Sequence, residues 1–362
     1  MRILLVSYGD IEYDGRLRSL IDVFSQMGEL VSFSRGKSPI NETSDVCNLP
    51  YYRFIGKVIR FAKEKGPFDW LVLDNRKATI PGMIIRKKVR PSIVIQDCRE
   101  LYLIREVKHF TSKIGCLFEK RMAQKADVVV CANQERAVIM QREYNLIRTP
   151  LTYENLRMLK YESVDSEAKA RLKIDPLLFD NEVRIVSTSG CSIERTNDVL
   201  VSNLSKVKGP CRLYLVGDSS EKEKLRIQEI LKDEKQLKVE IVGRLNQAEL
   251  KYLLSKSHIG IVNYGQYDTN NKLCASGKLY EFLFEGLPVV TTTNPPLKRI
   301  CEESEVGIAD DLYFNGLNEV INKYDYYKTK VQMFIKTNTI NKNDEEFIAN
   351  LHRAVEDIKK DR

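Results

Sequence analysis

Histidine is scarce in this chain and its cysteines are scattered, and both facts close off chemistry. The three histidines, His109, His258 and His352, are too few and too far apart in sequence to suggest a metal cluster. The eight cysteines are Cys47, Cys98, Cys116, Cys131, Cys191, Cys211, Cys274 and Cys301, and none forms a CxxC pair. A zinc site or disulfide framework is therefore not indicated, and buried reduced thiols are expected. No apolar run approaches the roughly 18 to 20 residues that span a bilayer. The start, MRILLVSYGD, lacks the longer apolar stretch and small-residue cleavage site of a secretory signal. It reads as a first β-strand, so a cytoplasmic protein is expected. No GxGxxG follows that strand and no GxxxxGKS/T occurs anywhere, which disfavours dinucleotide-binding and P-loop readings. There is no fixed-period repeat, which excludes a solenoid or propeller. No RNP-like motif is present, so nucleic acid is not an expected partner.

What is present fits an ordinary globular protein. The 362 residues are 43% hydrophobic and 30% charged, too long for one typical core, so two domains are expected. Short apolar runs alternate with helical periodicity. RILLVSY (2–8), LVSFSR (30–35), DWLVLD (69–74), PSIVIQD (91–97) and ADVVVCAN (126–133) read as strands. RLRSLIDVFSQMG (16–28), YRFIGKVIRFAKEKG (52–66) and residues 112–125 read as helices. This alternation predicts βαβ units and a parallel sheet covered on both faces. Residues 160–182 are polar and read as the connection between domains, with room for one short helix. The alternation then restarts with VRIVSTSG (183–190), RLYLVGD (212–218), KVEIVGR (238–244), HIGIVNY (258–264), the helix GKLYEFLFEG (277–286) and LPVVTTT (287–293). A terminal amphipathic helix spans 343–360, with Asn343 as its expected N-cap. The expected domains are 1–165 and 166–342, with 343–362 as the last helix.

Charge is unevenly placed. Residues 1–160 hold 28 Lys and Arg against 18 Asp and Glu, while the remainder is slightly acidic. Arg53, Lys57, Arg60, Lys63, Lys65, Arg76, Lys77, Arg86, Lys87, Lys88 and Arg90 make the densest stretch. A basic half attracts anionic partners such as lipid headgroups, a pyrophosphate-linked lipid or an acidic glycan.

In open parallel sheets, ligands bind beyond the carboxyl ends of the strands, so strand-to-helix turns carry most information. TSGCSIERTNDVL (188–200) offers Gly190, Arg195 and a helix start, which together suit a diphosphate. CASGKLYEFLFEGLPVV (274–290) places Ser276 and Gly277 at a helix start, adds Lys278, and sets Glu281 one turn in. A carboxylate there can accept both hydroxyls of a ribose. YGDIEYDGRLRSL (8–20) offers Gly9 and Gly15 for close backbone approach, with Asp14 and Arg16 beside them. QDCRELYLIRE (96–106) brings Asp97, Arg99, Glu100 and Glu106 to one strand end, a set suited to acid–base work or sugar hydroxyls.

At these residues the sequence resembles the GT-B glycosyltransferases, especially the bacterial retaining group of cell-surface polysaccharide assembly. GKLYEFLFEGLPVVTTTNPPLKRICEESEVGI (277–308) looks like that group's signature, with a helix Glu followed by Gly-x-Pro-Val-Val. VEIVGRLNQAELKYLLSKSHIGIV (239–262), DCRELY (97–102), ADVVVCANQERA (126–137) and PLTYENLR (150–157) are similar to further blocks in the same order. The resemblance implies an α/β fold of two Rossmann-like domains facing across a cleft, with the C-terminal helix crossing back to the first. It implies a nucleotide-sugar donor, with a UDP-sugar as the expected form, on the second domain at Gly190, Arg195, Arg244, Ser276, Gly277, Lys278 and Glu281. It implies an acceptor, a glycan or lipid-linked glycan, on the first domain near Arg99, with Gly15 and Arg16 forming a phosphate loop. No DxD triplet occurs, so a metal-independent reaction without a cofactor is expected. The expected site is the cytoplasm, with peripheral contact to an anionic inner-membrane surface.

Three departures bear on stereochemistry. Leu273 stands where the retaining group often carries a first glutamate, Cys191 where one of a basic pair usually lies, and Arg99 where many relatives carry His. A retaining enzyme needs no protein base if the donor phosphate serves; an inverting one needs a carboxylate, and Asp14, Asp97 or Glu100 could supply it. The alternatives are a nucleotide-sugar epimerase of the same fold, against which three histidines argue, and a non-catalytic GT-B partner subunit.

Overall fold

The computed structural model describes all residues except 12–13, 37–48 and 234–236; Cys47 lies outside the described residues. Two compact units form. One comprises Met1–Asn155 with Asn341–Arg362, the other Leu156–Ile340.

The first unit runs β1 (Arg2–Asp10), α1 (Gly15–Met27), β2 (Glu29–Arg35), α2 (Tyr51–Lys65), β3 (Trp70–Asp74), α3 (Thr79–Val89), β4 (Ile93–Cys98), α4 (Phe110–Ala123), β5 (Val128–Cys131), α5 (Gln134–Tyr144) and β6 (Leu151–Thr152). Its sheet has the order β2-β1-β3-β4-β5-β6, all parallel. The second unit runs α6 (Val164–Ile174), β7 (Val183–Ser187), α7 (Asn197–Asn203), β8 (Cys211–Val216), α8 (Glu221–Asp233), β9 (Lys238–Gly243), α9 (Gln247–Ser255), β10 (Ile259–Val262), α10 (Thr269–Lys272), α11 (Gly277–Phe284), β11 (Val289–Thr291), α12 (Pro295–Ser304), β12 (Gly307–Ala309), α13 (Phe314–Asn322) and α14 (Tyr324–Thr337). Its sheet has the order β12-β11-β10-β7-β8-β9, again all parallel. The final helix, α15 (Ile340–Lys360), begins at the last residue of the second unit and otherwise belongs to the first.

Both sheets bury both faces, which is why their central strands read as nearly continuous apolar runs. Alternate residues of β1 divide between two clusters. Ile3 and Leu5 pack with Leu17, Phe24 and Trp70, while Leu4 and Val6 pack with Phe33, Phe54 and Phe61. The second sheet divides likewise, with Val186 in one cluster and Ile185 in the other.

Three expectations change. Leu159 is buried in the second unit's core, and Leu156 and Tyr161 pack against it. The unit therefore starts at 156, and the polar stretch 160–182 is part of it through α6, which buries only Ala170 and Ile174. The helix α3 went unread because Pro81 and Gly82 look like breakers. Pro81 sits in the first turn, where no intrahelical N–H bond is lost. At Gly82 a Cβ would lie 2.3 Å from Leu73 Cδ1, so only glycine lets this helix press onto β3. Asn343 is not an N-cap: α15 starts at Ile340, and Asn343 Nδ2 donates to the Glu154 carbonyl at 3.4 Å.

The last helix is fastened to the first unit by an apolar stripe and one buried bond. Phe347, Leu351, Val355 and Ile358 join the cluster of Ile3, Leu17 and Trp70. Phe347 stacks on Tyr153 at 4.7 Å between centroids, and the Tyr153 hydroxyl donates to Asp344 Oδ1 at 2.7 Å. Phe347→Ala should destabilise the first unit by about 3–5 kcal/mol, the usual range for emptying a buried aromatic position. Urea unfolding measures this; a change below about 1 kcal/mol would mean that the helix docks without its aromatic anchor.

Candidate functional site

The strand orders put the topological switch of the first unit between β1 and β3, and that of the second between β7 and β10. Chain direction diverges there, leaving a crevice at the carboxyl ends. The polar residues of both units gather at these ends.

In the first unit, Ser7 lies in the carboxyl-terminal half of β1, Asp74 is the last residue of β3 and Asp97 the last but one of β4. Asp14 caps α1 by accepting the Leu17 N–H at 3.1 Å. Arg99 joins the elements. Its guanidinium donates to Asp14 at 2.6 and 2.8 Å and to Asp74 at 2.5 to 3.1 Å. Ser7 Oγ donates to Asp74 Oδ2 at 2.5 Å, and the Gly9 N–H to Ser7 Oγ at 2.9 Å. A Cβ on Gly9 would come within 2.7 Å of Asp14 Oδ2, so the glycine makes room for the carboxylate. Arg99's own carbonyl accepts from Arg136. Burial pushes the Asp74 carboxyl up, and Arg99 pulls it down.

Arg16 and Asp97 form a separate buried pair. Arg16 donates to Asp97 Oδ1 at 2.7 Å and Oδ2 at 3.3 Å, and to the Tyr153 carbonyl at 2.5 Å. Its guanidinium lies 4.6 Å from the Tyr153 ring centroid. Arg16 is thus turned into the interior, and Asp97 is 1% exposed. Gly15, the first residue of α1, is half-buried. Glu100 belongs to a third group. Its charge helps to raise the pKa of the buried Glu119 to about 6, after burial itself, against the pull of Arg76. The residues expected to work together in this unit are therefore distributed over three sets; Asp14 and Arg99 are partly exposed, as is Glu100, while Arg16 and Asp97 are buried.

The second unit gathers its set more tightly. Ser276 caps α11 by accepting the Leu279 N–H at 3.3 Å. One residue into the helix, Lys278 Nζ donates to the Thr188 carbonyl, just past β7, at 2.6 Å. The Lys278 pKa is lowered to about 8, by burial first and then by Arg195 and Arg157, with Glu281 opposing them. The Arg195 guanidinium carbon sits over the ring of Tyr264, just past β10, at 4.0 Å from its centroid. Its Nη1 is buried and has no hydrogen-bond partner, and neither has the buried Thr188 Oγ1. Glu281 is 7% exposed, burial raises its pKa, and its carboxylate lies 3.4 Å from Arg157 Nε.

A buried polar network holds the loop that carries Thr188 and Arg195. Asn197 Nδ2 donates to Ser189 Oγ at 3.0 Å and to the Gly190 carbonyl at 2.9 Å. Asn263 Nδ2 donates to Asn197 Oδ1 at 2.8 Å. Gly190 has φ +59°, and a Cβ there would lie 2.6 Å from the Asp218 carbonyl oxygen. It is a glycine because of backbone geometry and a neighbouring loop. Arg244 stands apart: it is exposed and pairs with Asp218 at 3.7 Å.

Arg195, Lys278, Glu281 and Ser276 with Gly277 are thus brought to one place, and Gly190 shapes the loop beside them. Sequence reasoning missed Asp74, Thr188, Tyr264 and Arg157. The first three end or follow strands already read correctly, so the strand-end rule could have found them. Arg157 lies in irregular chain and carries no such signal.

The whole chain resembles solved GT-B structures. HepE of Anabaena in complex with UDP-glucose matches with a TM-score of 0.68 over 98% of this chain and 100% of that one, at 15% identity. A glycosyltransferase of Rickettsia africae matches at 0.64 over 99% of both chains, at 15% identity. WaaG, a glycosyltransferase involved in lipopolysaccharide biosynthesis, matches at 0.62 over 96% of this chain and 98% of that one, at 13% identity. Identities this low establish the architecture, which is the two-domain α/β GT-B fold. No family model matches the sequence, and no curated protein matches it.

The Asp74–Arg99 pair gives a direct test of how the first unit's site is held. Arg99→Met leaves Asp74 buried without its cation and should cost about 3–5 kcal/mol. Adding Asp74→Asn should recover a large part, because the uncompensated charge is then gone. Urea unfolding of the single and double variants checks this; equal losses in both would mean that charge pairing is not what Arg99 contributes.

Proposed function

We propose that this chain is a metal-independent glycosyltransferase. It moves a sugar from a nucleotide-sugar donor, bound to the second unit, to a glycan or lipid-linked glycan acceptor in surface-polysaccharide assembly. The unpartnered Nη1 of Arg195 carries the proposal. A buried guanidinium N–H without an acceptor is costly, and this one lies in the electrostatic neighbourhood of Lys278 at the start of α11. A donor diphosphate supplies acceptor oxygens to Arg195, to Lys278 and to the first N–H groups of α11. Glu281, one turn into the same helix, accepts the ribose hydroxyls. HepE, of the same fold, holds UDP-glucose, and UDP is the first nucleotide to try.

The chemistry follows from the charge placement. As the bond from the anomeric carbon to the diphosphate breaks, negative charge grows on the leaving oxygen. Arg195 and Lys278 are fixed in low-dielectric surroundings and stabilise that charge more in the transition state than in the ground state. A retaining course is the reading favoured here. Of the three candidate bases, Asp14 and Asp97 are committed to arginines and Glu100 lies apart from them beside the buried Glu119, and a retaining reaction in which the donor phosphate serves needs no free protein base. Asp14 and Arg99, partly exposed beyond the carboxyl ends of β1 and β4, are then assigned to acceptor hydroxyls.

The test is calorimetric titration with UDP, GDP, ADP and dTDP, with transfer assayed in EDTA. Arg195→Ala and Glu281→Ala should each weaken the diphosphate that binds wild type by about 1.5–3 kcal/mol. Lys278 adds a pH signature with a defined sign. Only its charged form meets the diphosphate, and its pKa in the empty site is about 8. Affinity should therefore hold at neutral pH and fall above pH 8, approaching tenfold per unit. Lys278→Met should bind weakly at every pH without that fall. Wild-type affinity that stays level to pH 9.5 would remove Lys278 from the phosphate site.

A lipid-linked acceptor requires a membrane surface. No helix among the described residues is long and apolar enough to cross one. Helices α2 and α3 pack side by side and expose Arg53, Lys57, Arg60, Lys63, Arg86, Lys87 and Lys88, with Tyr52 among them at 68% exposure. These cations would lie against anionic headgroups, each contributing about 1 kcal/mol. Co-sedimentation with liposomes should require anionic lipid and fail at high salt, where the Debye length drops to about 3 Å. Reversing Lys57, Arg60, Lys87 and Lys88 together should abolish it and leave donor binding intact. Indifference to anionic liposomes at low salt would point to a soluble acceptor.

A further inference from the structure

A carboxylate as buried as Glu281 needs a cation or hydrogen-bond donors to stay ionised. Arg157, from irregular chain that opens the second unit, supplies the cation. The contact is loose. Its 3.4 Å separation exceeds the 2.7–2.9 Å of a good charged hydrogen bond. The two side chains also differ in setting: Arg157 is 45% exposed and Glu281 9%. A half-solvated arginine thus rests on a buried carboxylate, which has lone pairs enough to accept from further donors.

Arg157 also bears on Lys278, as Arg195 does. Arg157 and Lys278 therefore both act on the Glu281 carboxylate, and Arg195 acts on Lys278, with Arg195 Nη1 and Thr188 Oγ1 lacking partners. That is an excess of positive charge arranged for a polyanion. If a ribose is to reach Glu281, its neutral hydroxyls must replace a cation as the carboxylate's partner. A guanidinium displaced on its own gains nothing. One displaced beside an arriving diphosphate gains a stronger acceptor, which it can grip with two parallel N–H bonds.

We propose that Arg157 is an exchangeable counter-ion: it holds Glu281 in the empty site and passes to the donor diphosphate when the ribose hydroxyls take the carboxylate. This rests on the donor-site reading above and deepens it. The exchange makes ribose binding conditional on phosphate. A bare nucleoside must break the Arg157–Glu281 contact without offering Arg157 anything, so the site discriminates against nucleosides by more than the phosphates' own contacts. Arg157 is a positioning residue in this scheme, acting through Glu281 before it meets the ligand.

The experiment compares a nucleoside with its diphosphate, uridine and UDP if UDP is the panel member that wild type binds, at pH 8 by calorimetry. Arg157→Ala should bind uridine several-fold more tightly than wild type, because the competitor for Glu281 is gone. It should bind UDP at least fivefold more weakly, so that the ratio of the two affinities collapses. Arg157→Lys keeps the charge and should retain much of the ratio, which separates exchange from a folding defect. The acid limb of uridine binding should move to higher pH in Arg157→Ala and vanish in Glu281→Gln, since Arg157 is the leading influence holding that carboxyl down. Equal loss for uridine and UDP would make Arg157 a shape-keeping residue and overturn the proposal. Unchanged uridine affinity with weakened UDP would make it a fixed phosphate ligand, which also overturns it. A wild type that binds no nucleoside diphosphate of the panel overturns the donor-site reading itself, and the exchange with it.

Discussion

Every strand pair in both sheets is parallel, and the placement of the chemistry follows from that constraint. Parallel neighbours need a crossover, so each strand hands the chain to a helix at its carboxyl end. All strand-to-helix turns of one sheet then lie on one side of it. Where the strand order reverses, at β1/β3 and at β7/β10, those turns part and leave their polar groups uncovered. Ser7, Asp14 and Asp74 are at the first of these places, and Thr188, Arg195 and Tyr264 at the second. Neither set could be assembled on an antiparallel sheet, whose turns alternate between the two ends.

The two units treat their buried charges differently. In the first, arginines and carboxylates satisfy one another: Arg99 bridges Asp14 and Asp74, and Arg16 clasps Asp97 and a carbonyl. Such closed sets fix loops relative to strands, and breaking one leaves a charge without compensation. In the second, cations exceed carboxylates around Lys278, and one guanidinium nitrogen is buried without an acceptor. An interior that tolerates this has given up stability at that point, which is common where a ligand completes the hydrogen bonding. The same surroundings bring the Lys278 pKa down to about 8, so the pocket's charge changes within an accessible pH range.

The alternation of short apolar runs with helical periodicity was enough to place ten strands and the two-sheet architecture, because a strand buried on both faces leaves a dense apolar signal. The signal failed where elements are short or sparsely buried. β6 has two residues, below the length at which periodicity can be read, and β12, a glycine and an alanine around one isoleucine, gives a weaker apolar signal than the Val-Val of the equally short β11. The helix α6 buries two side chains, and α3 carries a proline and a glycine that local rules read as breaks. The terminal helix was legible as a stripe, yet its start was misplaced because an asparagine in a polar run resembles a cap.

At the candidate site, sequence determined which residues stand at strand ends and helix starts, since those are local properties: Ser276 before an apolar helix, Lys278 and Glu281 at one and four residues into it, Gly190 and Arg195 in the turn after a strand. Tertiary structure decided which of these meet and which are diverted. Arg16 and Arg195 look alike in sequence, each in a glycine-bearing turn. Packing turns the first inward onto Asp97 and leaves the second on Tyr264 with a donor unspent. Arg157 comes beside Glu281 across more than 120 residues of chain. No local rule encodes such a pairing, because the energy of a charge pair depends on distance and burial in space, and sequence separation carries neither.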